Sequence, residues 1–421
     1  MKKSFVVFVL IGFLGVCLGI RPSYAGEVDV LLQKLVEKGI LSASEAQEVR
    51  TETNEEIAKM EKQKQEDYKK LAKDNMPDWA KNIKLKGDFR LRYQNEKRKG
   101  SNLNMGNTTE RERGRIRFRV GAEAKVNDQI KAHFGLASGG TDPRSTNQTL
   151  ENTFELKDIR LDYAYAEYAP FKWATFFGGR MANPIWEPGD MLWDTDIHPE
   201  GVAGKLKWKL NPNLEPYMNT ALFLLDENSA TADPLMYVFQ PGLKWKINDG
   251  LDLNLATTYY GFKKVGGATL NHNTNNNTAV TNGGGDFNSI SPTIELGVKE
   301  PLGLSALPYL GFFGEYIHNL DAKQSKNGYM GGVRLGHKKV KDFGQWQFRY
   351  THTLLGTYAW PDVFPDSDRY GGRTGIRGHE VLLTYGLGKN WNLELDYYHT
   401  DLTSTPDKTE NLFQADLNFK F

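Results

Sequence analysis

From Ile83 onward the chain alternates apolar and charged side chains with a period of two, and that alternation restricts the fold more than any other feature. Ile83, Leu85, Phe89, Leu91 and Tyr93 fall on one face of an extended segment, and Lys84, Lys86, Asp88, Arg90 and Arg92 on the other. The run Arg113 to Val126 repeats the pattern, with Ile116, Phe118, Val120, Ala122 and Ala124 against Arg113, Arg115, Arg117, Arg119, Glu123 and Lys125. Such a strand wants an apolar medium on one side and water on the other. A soluble two-sheet sandwich uses the same alternation, so two strands leave both folds open.

The count of strands separates them. Fourteen further segments of this kind, running from 130–138 to 411–421, bring the expectation to about sixteen, an even number, at roughly 21 residues per strand with its connection. The connections alternate in length. Tight turns are expected at 126–129, 211–213, 248–250 and 388–390, and longer polar loops near 94–112, 139–155, 182–201, 226–234, 264–287, 319–328, 359–379 and 401–410. Short turns on one rim and long loops on the other predict an all-β, closed, antiparallel transmembrane barrel with both chain ends on the short-turn side. Composition agrees: only 39% of residues are hydrophobic, too few for a large dry core, yet 9 Trp, 19 Tyr and 22 Phe are too many for a disordered chain. A net charge of +1 leaves no bulk charge for nucleic acid, and the single cysteine, Cys17, excludes a disulfide framework or a cysteine zinc site.

Three domains are expected. Residues 1–25 have the basic start, apolar middle and small residues Ser23 and Ala25 of a cleaved signal peptide. Residues 26–78 are rich in Glu, Lys and Gln and predict helix: a short piece stopped at Gly39, then a capping box at Ser42-Ala43-Ser44-Glu45 opening a longer helix that Pro77 ends. Ala46, Val49, Ile57, Met60, Tyr68 and Leu71 follow a heptad only in part, so a solvated helical spacer and an oligomeric coiled coil both stay open. The barrel is expected over 79–421.

The last strand alternates Phe413, Ala415, Leu417, Phe419 and Phe421 with Gln414, Asp416, Asn418 and Lys420. Together with the signal peptide, the helical leader, the run Ile83-Lys84-Leu85-Lys86-Gly87-Asp88-Phe89-Arg90-Leu91-Arg92-Tyr93, and Trp193-Asp194-Thr195-Asp196 followed by Pro199-Glu200-Gly201-Val202, this resembles the "putative porin" family of Gram-negative bacteria. A more distant likeness is to phosphate-selective porins. The resemblance implies an outer-membrane diffusion channel, usually a homotrimer, embedded in lipid and lipopolysaccharide, with the leader in the periplasm and Phe421 read by the barrel-insertion machinery. It also implies that the loop 182–201 folds into the pore. A structural tether, with the leader touching peptidoglycan, is the alternative of another class.

A channel needs no bond-making residue, cofactor or metal; it needs a wet lumen and a charge pattern in it. The expected constriction sets Lys86, Arg90, Arg115, Arg117 and Arg119 against Glu187, Asp190, Asp194 and Asp196. A hairpin closing around residues 94–112 would bring Lys86 near Arg119 and Arg90 near Arg115, with Asp88 beside Arg117. The crowding of like charge along Arg111 to Arg119 is unfavourable without a counter-wall or an anionic solute. Gly283–Gly285 and Asn271–Asn277 are loop chemistry. Asp362, Asp366 and Asp368 read as a solvated loop rather than a calcium site, and His133 faces the lumen without the partners of a hydrolase.

Overall fold

The computed structural model describes residues 26–75, 78–100, 108–229, 232–266, 268, 270–274, 277 and 286–421. The expected signal peptide, Cys17, Pro77 and Gly283–Gly285 lie outside them. Two compact units divide between Lys81 and Asn82.

The first unit is helical, with α1 at Gly26–Glu37, α2 at Ala43–Asn75 and α3 at Asp78–Lys81. Gly39, at φ +69°, takes the left-handed conformation that closes α1, and its N–H donates to the Val36 carbonyl at 3.0 Å. The capping box forms as expected: Ser42 N–H donates to Glu45 at 2.8 Å, and Glu45 N–H donates back to Ser42 Oγ at 3.2 Å. These Ser42 hydrogen bonds hold the Glu45 carboxyl below its ordinary value. Val49 and Met60 are exposed along α2. Among the described residues no helix is long and apolar enough to cross a membrane.

The second unit is one closed sheet in which every pairing is antiparallel. Its strands are β1 (Ile83–Lys99), β2 (Thr108–Lys125), β3 (Ile130–Ser138), β4 (Ile159–Phe171), β5 (Ala174–Arg180), β6 (Glu200–Lys207), β7 (Leu214–Leu224) and β8 (Leu235–Asn248). They continue as β9 (Leu251–Lys263), β10 (Ser289–Lys299), β11 (Tyr309–Asn319), β12 (Asn327–Gly336), β13 (Trp346–Leu355), β14 (Ile376–Gly388), β15 (Trp391–Leu402) and β16 (Thr405–Lys420). A two-residue segment, Gln148–Thr149, adds a short ladder to β2 from within a loop. Closure is made by β1 against β16, from Asp88↔Lys420 to Arg98↔Glu410. Among the described residues no edge strand remains to be satisfied in hydrocarbon.

Burial is inverted relative to a soluble protein. Leu85, Phe118, Phe134, Leu161, Phe239, Ile294, Phe312 and Leu383 are exposed, while Gln94, Arg117, Gln240, Thr258, Ser291, Glu380, Gln414 and Asp416 are buried. Each buried polar residue sits at the opposite parity from its exposed apolar neighbours, so the outer wall is lipid-facing and the inner wall polar.

Two expectations about connections are corrected. The loop expected over 94–112 is shorter, because β1 and β2 pair out to Lys99↔Thr108. That length moves the register by two: Lys86 lies opposite Gly121, Asp88 opposite Arg119 and Arg90 opposite Arg117. Even slips keep every side chain on its face, which is why parity alone did not detect this one. The loop expected over 401–410 is a tight connection between Leu402 and Thr405.

Candidate functional site

The connection from Met181 to Pro199, between β5 and β6, lies against the inner wall. Met181, Ile185, Met191, Leu192, Trp193 and Ile197 are buried in one apolar cluster with lumen-facing Phe223 (β7), Val238 (β8), Tyr260 and Phe262 (β9) and Met330 (β12). A second loop, residues 356–375 between β13 and β14, contributes Trp360, Val363 and Phe364 to the same cluster. The Trp360 ring meets Tyr260 edge-on at 4.7 Å and Trp193 at 6.0 Å. Burying a loop inside a barrel requires partners for its backbone. Trp360 Nε1 donates to the Leu192 carbonyl at 2.7 Å, and Asp194 N–H donates to the Phe364 carbonyl at 2.7 Å. Gln240, on β8, receives Trp186 N–H at 2.9 Å and donates to the Trp186 carbonyl at 2.8 Å.

The four acidic loop residues are each engaged. Glu187 accepts from Tyr260 at 2.7 Å, and Asp190 accepts from Arg369 at 2.6 Å with Arg349 at 3.9 Å. Asp194 accepts the backbone N–H groups of Ser367 and Asp196, both at 2.9 Å. Asp196 accepts Thr146 N–H and hydroxyl and receives Arg119 Nη1, all at 3.1 Å. Of the expected pairings between acidic loop and basic ladder, the structure therefore brings Asp196 to Arg119. Glu187, Asp190 and Asp194 meet other partners.

The basic ladder occupies the inner face of β1 and β2. Asp88 is shared by Arg117 and Arg119, each at 2.8 Å. Asp416, on β16, is shared by Arg90 at 3.2 Å and Arg92 at 2.8 Å, and Arg92 also meets Asp368 at 3.6 Å. Arg115 has neutral partners: Gln94 at 3.1 Å, the Asn147 carbonyl at 3.3 Å and Ser145 at 3.4 Å. Lys86 sits 5.7 Å from the Tyr163 ring centre. Neither Arg115 nor Lys86 forms a direct ion pair among the described residues, and the carboxylate that acts on Arg115 from farther away is Asp368.

The loop carboxylates Asp362 and Asp366 are buried, not solvated as expected. Asp362 accepts Thr274 N–H at 3.0 Å and its hydroxyl at 2.6 Å, and Asp366 accepts Arg369 at 2.8 Å. Loop 356–375 is a packed internal element, which local composition did not signal. Phe421 pairs with Gly87 through both backbone groups, at 2.9 and 3.0 Å. Residues missed from sequence are those that seat the loops: Gln240, Arg334, Arg349, Arg369 and Glu380. Arg349 and Glu380 join in an ion pair, and Arg369 also pairs with Glu380. Arg349 shares the inward parity of Thr351 and Thr353 on β13, a signal that was available. Arg369 lies in a loop, where no periodicity applies.

A family model described as "Putative porin" matches residues 44–109, 104–294 and 310–421. No curated protein matches the chain. Among solved structures, Pseudomonas putida OprB at high pH aligns with a TM-score of 0.51 at 9% identity, over 81% of this chain and 95% of that one. Salmonella typhi OmpF in complex with daunomycin gives 0.48 at 12% identity over 80% and 97%. A triple mutant of the Rhodopseudomonas blastica porin gives 0.43 at 10% identity over 80% and 100%. The OprB alignment is a likeness of fold, spanning nearly the whole of both barrels.

Proposed function

The chain belongs to the putative porin family, and from that premise we propose that it is an outer-membrane channel for passive diffusion of small hydrophilic solutes and ions, narrowed where the Met181–Pro199 loop meets β2. The contact of Arg119 with Asp196, at 3.1 Å, carries this reading, because it joins the inward loop to the basic strand. The constriction has Lys86, Arg90, Arg115, Arg117 and Arg119 as its basic wall, with Glu187, Asp190, Asp194 and Asp196 on the loop. Opposed charges at close quarters orient polar solutes and disfavour apolar ones. The alternative of an anion-selective channel is favoured by Arg115 and Lys86, neither of which forms a direct ion pair among the described residues.

In this reading the signal peptide is removed at residue 25, residues 26–78 lie in the periplasm, Phe421 guides insertion into lipid and lipopolysaccharide, and three chains associate. Tethering to peptidoglycan through the helices is the competing role. The deciding measurement is single-channel conductance with a salt-gradient reversal potential. Replacing Arg117 and Arg119 together by Ser should move selectivity toward cations while leaving barrel folding intact, because no lipid contact is lost. An unmoved reversal potential would make these arginines structural partners of Asp88 and Asp196 with no part in selectivity.

A further inference from the structure

Three histidines stand directly opposite one another on the outer wall: His352 on β13 pairs with His379 on β14, which pairs with His399 on β15. Their orientation follows from parity, since Thr351, Thr353, Glu380, Tyr398 and Thr400 are the buried, lumen-side residues of these strands. The next outward row toward the short turns is Tyr350, Val381, Tyr397 and Phe413, and the row beyond it is Phe348, Leu383, Leu395 and Ala415. Past His399 the row continues around the barrel as Asn411, Lys97 and Glu110, and beyond His352 it meets Gly331, Gly314 and Ile294. From β13 to β2 the outer wall therefore changes from apolar to polar at this row. That places the imidazoles at the headgroup layer, where ions from water reach them.

We propose that this row is a binding site for a divalent late-transition-metal ion such as Cu2+, Ni2+ or Zn2+, held by two neighbouring imidazoles. The His352 and His379 ring centres are 4.6 Å apart with the planes tilted by 41°. Two nitrogens each about 2.0–2.1 Å from a tetrahedral ion lie roughly 3.4 Å apart, which rings at that separation can supply. Imidazole is a preferred donor for these ions. The opposite nitrogens are already oriented. His399 Nδ1 is 2.8 Å from Asn411 Oδ1, an acceptor only, so in the neutral ring Nδ1 carries the hydrogen and Nε2, 3.8 Å from the Asp401 carboxylate, keeps its lone pair. His379 Nδ1 is 2.7 Å from the Tyr350 hydroxyl, which can accept the same hydrogen. No group of three or more ionisable ligands able to hold a metal ion is present among the described residues, so water completes the coordination shell. His379, central in the row, is common to both adjacent pairs, and the stoichiometry is one ion per chain.

The test uses the full chain without an affinity tag, folded in detergent and titrated with Cu2+ by calorimetry and electron paramagnetic resonance. One ion per chain with coupling to nitrogen is expected. His379→Gln should lower the affinity by about tenfold or more, and Tyr350→Phe should lower it less. His318→Gln, an outward histidine on β11 bonded to Asn327, should leave it unchanged. Acidification should weaken binding as protons compete for the imidazoles. All variants should conduct as the parent does, since none of these side chains faces the lumen. An affinity unaltered in His379→Gln, or lowered equally in His318→Gln, would overturn the assignment.

Discussion

Gln240 is fully buried on the inner face of β8 and uses both ends of its amide. Besides holding the backbone of Trp186, it donates to Thr258 at 2.8 Å and accepts from Asn219 at 2.7 Å. Gln240→Ala would strand two buried backbone groups of the inward loop, at about 1–3 kcal/mol for each group left without a partner. The expected result is a barrel that still folds but whose loop is cut by added protease and whose single-channel current is noisier. A loop as resistant as the parent's would show that the apolar cluster holds it without Gln240. This role is not legible in sequence. An inward Gln on a porin strand looks like any other wetted wall residue, and what distinguishes Gln240 is a contact with Trp186, far away in the chain.

The strands themselves were legible as elements, because a two-sided solvent imposes period two on every one of them. Of the inner loops, the inward course of 182–201 was expected only through the family resemblance, and that of the loop after β13 was not expected. Residues 359–379 read as a polar loop, yet Trp360 and Phe364 are buried among groups from β7, β9 and the Met181–Pro199 loop. Loop burial depends on partners distant in sequence, and no local period records them. Trp360→Ala should remove about 3–5 kcal/mol of loop–wall packing and orphan the Leu192 carbonyl. The lumen side should loosen without harm to the lipid-facing wall, so single-channel conductance should rise while the folded band on an unheated gel persists. A conductance equal to the parent's would place the narrowest part of the path away from this clasp.

For the whole molecule, closure between the first and last strands makes the barrel one cooperative unit, and the helical unit is separate from it in compactness. If the channel is the trimer proposed above, deleting residues 27–75 should leave a conducting barrel whose detergent-solubilised particle has the mass of three chains. A particle of one chain would assign assembly to the helices. Conduction retained with loss of envelope attachment would instead favour the tether. The even strand number and the alternating rims were readable beforehand because both follow from closing a hairpin meander. The β1–β2 register was misjudged by two residues, since the lipid constraint repeats every second residue and is blind to even slips.

Parity has an outcome for how such a chain can change over generations. Along each strand the odd and even positions answer to different demands, one set to hydrocarbon and the other to whatever passes through. A substitution at an inward position such as Arg115 or Asn392 changes the lumen wall without touching the surface that faces lipid. An outward substitution between apolar residues does the reverse. Two properties that compete for the same side chains in most proteins are here written on alternate letters, so the preference for one solute over another can drift while the architecture stays put.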